Sequence, residues 1–348
     1  MASNPGNFTP ALLQKTVAKM DELWADNQTV NDYVPEVGVL TAIRAEQTAK
    51  LSVIENPEKD KVLKIIWAAD CGGEVEDCTD GEADQFCDWT GPQAEARSKD
   101  YALDECSTIP FTIEESVFYT SELNQQEVLA VQMLNAMKKL DEHLAQKTVA
   151  KLNSFAGVNQ YEGGIGVVDG SVTYIAPNYW TPSMYGYFAL VAKKNKLNNP
   201  FLIHGTNLYQ TMWETEFLNL NQNQKDLKPK LGSMRTYWDI WNIDLVNEEI
   251  KRSYMIAKGA VAFANKARYP KNNPKEYQFG KRWSVQSKAL PGVWYDVFYK
   301  ESCGEGEKVF YDFKMRATYG IYLNPFGCND DVTGVLLFDC GTGPIESN

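Results

Sequence analysis

Two histidines are few for a hydrolase or a metalloenzyme. His143 lies between Glu142 and Leu144 in a helical stretch and reads as a surface or partner contact. His204-Gly205 follows the apolar run FLI, a position where a His-Gly pair could form part of an oxyanion hole. That chemistry also needs a G-x-S-x-G elbow, and the chain has none. Gly164-Ile165-Gly166 could open a dinucleotide loop, but Asp169 stands where the third glycine belongs. The following SVTYI is β-like, whereas pyrophosphate needs a helix N-terminus there. Cys71, Cys78, Cys87 and Cys106 lack the close C-x-x-C pairing of structural zinc sites. Asp77, Asp80, Glu82 and Asp84 miss the EF-hand order and its terminal glutamate. No catalytic constellation, cofactor site or metal site emerges, and an enzymatic role is not expected.

The elements around these residues are more informative. Within residues 121–155, Leu129, Met133, Met137, Leu140, Leu144 and Leu152, with Thr148, recur every three or four positions. This predicts one helix with one apolar stripe, roughly 45 Å long at ~1.5 Å per residue. Asn124 with Glu127 reads as its capping box and Gly157 as its stop. So narrow a stripe predicts a girder laid across a sheet rather than a helix wrapped in a core. Lys138, Lys139 and Glu142 are expected to face solvent or a neighbour.

A shorter helix is predicted near the N-terminus, capped by Thr9 with Pro10 first. Its apolar face is Leu13, Val17, Met20 and Trp24, which a lone helix must bury on this subunit or another. Residues 27–39 read as an extended arm. Strands are expected at 61–67 and 100–111, framing a two-stranded excursion. Between them, residues 71–92 carry seven acidic residues and no Lys or Arg. Helices are predicted at 182–196 and 207–220 and a strand at 201–205. Residues 234–246 read as strand-like, and the chain turns β-rich from Trp283.

At 348 residues the length predicts about two domains, or one with large excursions. An apolar fraction of 44% supports sizeable cores. No run reaches the roughly 18 apolar residues of a membrane span. No signal peptide is visible, and seven scattered cysteines fit a reducing cytosol. A net charge of −12 argues against a chain built to grip phosphate backbones.

The order of parts, with the phrases NPFLIHGTNLYQ, YMIAKGAVAFANKARYP, DVFYKESC, YGIYLNPFGC and GVLLFDCGT, resembles the major capsid proteins of tailed bacteriophages. The local texture also looks like members from phages of Bacteroidetes-type hosts, and the shell fold is shared with encapsulins. It implies an α+β phage-capsid shell fold in five parts. These are an N-terminal arm (1–45), an extended two-stranded loop (46–116), and a peripheral domain with the spine helix (117–175). An α/β axial domain (176–282) follows, then a return to the peripheral domain with C-terminal strands (283–348). The implied function is self-assembly into pentamers and hexamers of an icosahedral shell around double-stranded DNA, enclosed but not specifically bound. The protein would be assembled in the host cytoplasm and reside in the virion capsid.

Copies of the chain are the implied partners, with scaffolding, portal and decoration proteins possible and no membrane. Implied inter-subunit contacts are Leu13, Val17, Met20 and Trp24 on the arm. Glu74, Glu76, Asp77, Asp80, Glu82, Asp84 and Asp88 on the loop tip would face a basic patch on a neighbour. Many members of the family carry a cleaved scaffolding segment, which is not visible here. Some crosslink subunits through Lys and Asn, and no such pair can be chosen from this sequence. The competing readings are a cytosolic enzyme or ligand-binding module with a pocket in residues 176–300, an encapsulin, or another virion protein.

Overall fold

The computed structural model describes residues 10–25, 34–48, 50–52, 62–68, 96–103, 105–117, 125–181, 184–209, 234–248, 250–278, 280–303, 308–324 and 333–341. The expected caps Thr9 and Asn124, the acidic stretch 71–92 and most of the helix expected at 207–220 lie outside them.

One helix, Gln125–Phe155, runs through the molecule for about 46 Å at ~1.5 Å per residue. It is called α3 here, after α1 (Pro10–Ala25) and α2 (Gly38–Glu46). The predicted stripe is buried, but so are Val128, Ala130, Leu134, Ala136, Ala145 and Val149 beside it. The girder is therefore enclosed on most of its circumference, contrary to the sequence expectation. Helices α1, α2 and a short helix α5 (Ile240–Val246) pack on it, and a sheet supports it from below. Val128, Leu134 and Val149 widen the apolar face, and the alanines extend it further. These alanines add little to an apolar stripe, yet their small side chains let neighbouring backbones approach. Lys138 is likewise buried, 3% exposed, whereas Lys139 is exposed as expected.

The described strands form three sheets. The first is an antiparallel trio, β1 (Lys50–Ser52), β2 (Val62–Ala68) and β3 (Ala96–Ala102). The excursion thus has three strands, not two. The strand expected at 100–111 is divided. Its first residues end β3, while β4 (Glu105–Glu114) joins the second sheet against β14 (Val309–Leu323).

That second sheet runs β10–β14–β13–β12–β11, with β4 on β14. Its remaining strands are β10 (Val261–Asn265), β11 (Lys275–Tyr277), β12 (Gly280–Gln286) and β13 (Trp294–Cys303). The third sheet runs β5–β6–β15–β9–β7–β8. Its strands are β5 (Gly166–Asp169), β6 (Val172–Ile175), β7 (Phe201–His204), β8 (Thr236–Trp238), β9 (Arg252–Ile256) and β15 (Val335–Cys340). Helix α4 (Met184–Lys194) precedes β7, and its Phe188 packs edge-on against Phe338 of β15.

Sheet membership moves two expected boundaries. The chain passes into the second sheet at β10, before residue 283, and β15 goes back to the third sheet rather than staying with β12–β14. The crossing into β10 is a turn at Gly259, where φ is +80° and an added Cβ would lie 2.2 Å from Thr48 Oγ1. Residues 234–246, read as one strand, are strand β8 followed by helix α5. Asp239 makes the break, because its side chain accepts a hydrogen bond from Asn242 N and caps the new helix.

A polar cluster joins the C-terminal end of α3 to the third sheet. Arg252 donates to both carboxylate oxygens of Asp339, at 2.6 and 2.7 Å. It also donates to Asn153 Oδ1 of α3 and to Asn247 Oδ1. Tyr254 OH donates to Asn153 Oδ1 at 2.8 Å. Asp339 is 3% exposed, so removing its partner strands a buried charge. Arg252→Met is expected to cost about 3–5 kcal/mol in denaturant unfolding. A loss under ~1 kcal/mol would show that this pair does not hold the sheet to the helix.

Candidate assembly surfaces

The arm before α2 is fixed by two carboxylates. Glu36 accepts from Ile240 N at 2.6 Å and Trp241 N at 2.9 Å, the opening donors of α5. Asp239 accepts from Val39 N at 2.8 Å in α2 and from Asn242 N at 3.2 Å in α5. Two helices some 200 positions apart thus share one cap, which satisfies donors that neither helix can satisfy itself. Gly38 allows the contact, since a Cβ there would sit 1.8 Å from the Trp238 carbonyl oxygen. Further along, buried Glu46 accepts from Arg235 Nη1 and Tyr237 OH, each at 2.8 Å. The extended arm expected over 27–39 gives way to this helix at Gly38, within the expected range, and residues 27–33 lie outside the described residues. Val39, Leu40, Ala42 and Ile43 are its buried face and its legible signal.

Of the arm residues expected at a neighbour, Leu13 and Met20 are 0% exposed within this one chain. Val17 and Trp24 remain half-buried. The Lys138 ammonium lies 5.8 Å from the centre of the Trp24 ring. The α1 face is therefore largely covered by α3 of its own chain, leaving only its rim for a partner. The acidic residues Glu74, Glu76, Asp77, Asp80, Glu82, Asp84 and Asp88 fall outside the described residues. On α5, Trp241 and Leu245 sit one turn apart and are more than half exposed.

His204 closes β7 inside an aromatic box of Tyr185, Phe188 and Trp238. Its Nδ1 lies 2.7 Å from Ser253 Oγ, and burial lowers its pKa to about 3, keeping the ring neutral. This is a packed core histidine.

Asp141 was not singled out by the sequence, although it lies on the apolar stripe four residues after Met137. Ser287 Oγ donates to both its oxygens, at 2.8 and 2.9 Å, and Tyr295 OH donates to Oδ1. Burial pushes its pKa up to about 7 against the opposing pull of those donors, and Glu142 adds a smaller upward push. Through Ser287, which also accepts from Leu290 N, this carboxyl fastens the β12–β13 connection to the middle of α3.

No protein-family profile and no curated protein matches the chain by sequence. By structure it is similar to a chain of the cyanophage A-1(L) capsid asymmetric unit, with a TM-score of 0.50 and 9% identity. That match covers 89% of this chain and 94% of the other. A chain from Mycobacterium phage Adephagia is similar at TM-score 0.46 and 11% identity, covering 90% and 93%. A virus-like particle from Pyrococcus furiosus is similar at 0.40 and 11%, covering 94% and 97%. The cyanophage match shows the fold. This chain has an α+β phage-capsid shell fold.

The Asp141 cluster sets a pH dependence. Its carboxyl binds a proton more tightly when folded than the ordinary value of 3.8 allows when unfolded. The contribution of this group to folding stability is therefore fully present below about pH 4 and is lost as pH rises to about 7. Asp239, raised to about 6 by burial, acts in the same sense. Asp141→Asn keeps an acceptor and removes the charge. Its unfolding free energy is expected to change less between pH 5 and pH 8 than that of the wild type. An equal pH slope in both proteins would contradict this.

Proposed function

We propose that this chain is a structural major capsid protein, which self-assembles into pentamers and hexamers of a closed icosahedral shell enclosing phage DNA. The observation that carries the reading is the cyanophage capsid match, because it spans nine-tenths of the chain. A likeness of that extent covers most of the chain rather than one shared motif. The described surface supports the same reading. The arm is anchored by Glu36, Asp239 and Glu46 to the body of its own chain, leaving its rim and the excursion for neighbours. Each subunit contact can be modest, since many contacts repeated around a closed shell act together. Scaffolding, portal and decoration proteins are further proposed partners, with the host cytoplasm as the place of assembly. The net charge of −12 would keep the wall from gripping the enclosed DNA tightly.

Sizing chromatography with light scattering, followed by negative-stain imaging, tests this. Uniform particles tens of nanometres across are expected. A chain that elutes as a monomer at every concentration would overturn the reading. If charge-paired loops hold neighbours, particles should also loosen between low and high salt, as screened surface contacts do.

A further inference from the structure

The charge of the chain is not evenly spread. Residues 266–316 hold eleven Lys or Arg against six Asp or Glu, whereas the whole chain has 34 against 46. Much of that excess lies on one face of the second sheet. Tyr295 reaches Asp141 of α3, so side chains an odd number of positions along β13, Phe298 among them, point to the far face. Directly opposed residues on neighbouring strands share a face. The register therefore sets Lys275, Arg282, Phe298, Lys314 and Pro110 in one row across β11, β12, β13, β14 and β4. Four strand spacings make the row about 19 Å wide. Its last four residues line a cleft of about 400 Å³.

The cations of this row are not neutralised. On either side of it, Lys300 meets Asp312 at 3.8 Å and Arg316 meets Asp296 at 3.4 Å. Among the described residues, Lys275, Arg282 and Lys314 form no ion pair. Arg282 is held by rings instead. Its guanidinium carbon lies 4.9 Å from the centre of Tyr277, 5.4 Å from Phe298 and 5.6 Å from Tyr269. Such rings fix the guanidinium without cancelling its charge. Lys275 and Lys314 are exposed.

The same contacts narrow the partner. Arg282 and Arg316 both lie over Phe298, so that ring is not free to stack on an unpaired base. Nor does the row offer an exposed aromatic anchor of the kind that centres a protein contact. Duplex DNA carries one charge per ~1.7 Å of axis, so it sets a phosphate within reach of each cation whatever its register.

We propose that the far face of the second sheet is a sequence-independent contact for the phosphate backbone of duplex DNA, made by Lys275, Arg282 and Lys314. This rests on the shell reading, which supplies the DNA, and it turns that face toward the enclosed duplex. Three cations per subunit make a weak contact, in keeping with a chain of net charge −12.

Fluorescence anisotropy of a labelled short duplex tests it, with the full-length chain kept below the concentration at which particles form. Three phosphate contacts give a salt slope of about −2.7, so affinity should fall about 40-fold between ~50 and ~200 mM salt. Lys275→Gln with Lys314→Gln leaves one cation and should cut that fall to about 3–4-fold. Lys275→Arg with Lys314→Arg should keep the full slope, as should Lys139→Gln with Lys147→Gln on α3. Absence of duplex binding, or an unchanged slope in the Lys275 and Lys314 glutamine variant, would overturn the proposal. So would tighter binding of poly-glutamate than of duplex, which would assign the face to an acidic protein.

Particle formation separates this proposal from the reading beneath it. The glutamine variant at Lys275 and Lys314 should form particles as the wild type does. Particles from the wild type without duplex binding would reject the contact and leave the shell reading standing. No particles from the wild type would reject the shell reading itself, and with it the source of the DNA.

Discussion

Enclosure of α3 is the constraint on which the rest of the structure depends. A helix this long has two sides to cover, and one sheet can cover only one of them. The chain covers the second side with helices drawn from widely separated positions, α1 and α2 from the N-terminus and α5 from the middle. Each fully buried Leu or Met along it contributes about 1.5–3 kcal/mol relative to exposure. Those gains offset the cost of ordering three otherwise unsupported short helices. Disturbing α3 therefore disturbs the arm, both larger sheets and whatever surface they present.

The polar contacts are placed where apolar packing alone would leave the helices free to slide. Asp141 fastens the middle of α3 to the β12–β13 connection, and Arg252 with Asn153 fastens its end to the third sheet. Asp239 and Glu36 fasten α5 to the arm through shared capping. Buried carboxyls are costly, and their directional bonds act on position. A shell subunit needs fixed geometry at its contacts, since small angular errors accumulate around a closed ring.

Much of this was legible before the structure. The three-to-four spacing from Leu129 to Leu152 located α3, Pro10 marked the start of α1, and the phrase texture pointed to the fold. What escaped has identifiable causes. The width of the α3 face rests on Val128, Leu134 and Val149, which lie off the main stripe, and on alanines, which carry little periodic signal. Residues 234–246 hold a strand and a helix whose division rests on Asp239, whose cap contact reaches Val39 from across the sequence. The return of β15 to the third sheet, between β6 and β9, is a matter of long-range pairing that local spacing does not encode. Of the arm residues expected at a neighbour, Leu13 and Met20 are buried within their own chain, which only the fold could show.

The central claim is that this fold exists to tile a closed surface with copies of itself. Cryo-electron microscopy of the purified chain tests it most directly. The account predicts closed shells with five- and six-fold clusters, each subunit showing a rod of density about 46 Å long at ~1.5 Å per residue, flanked by α1 and the second sheet. Isolated 39.3 kDa subunits, or open aggregates without five-fold vertices, would contradict it.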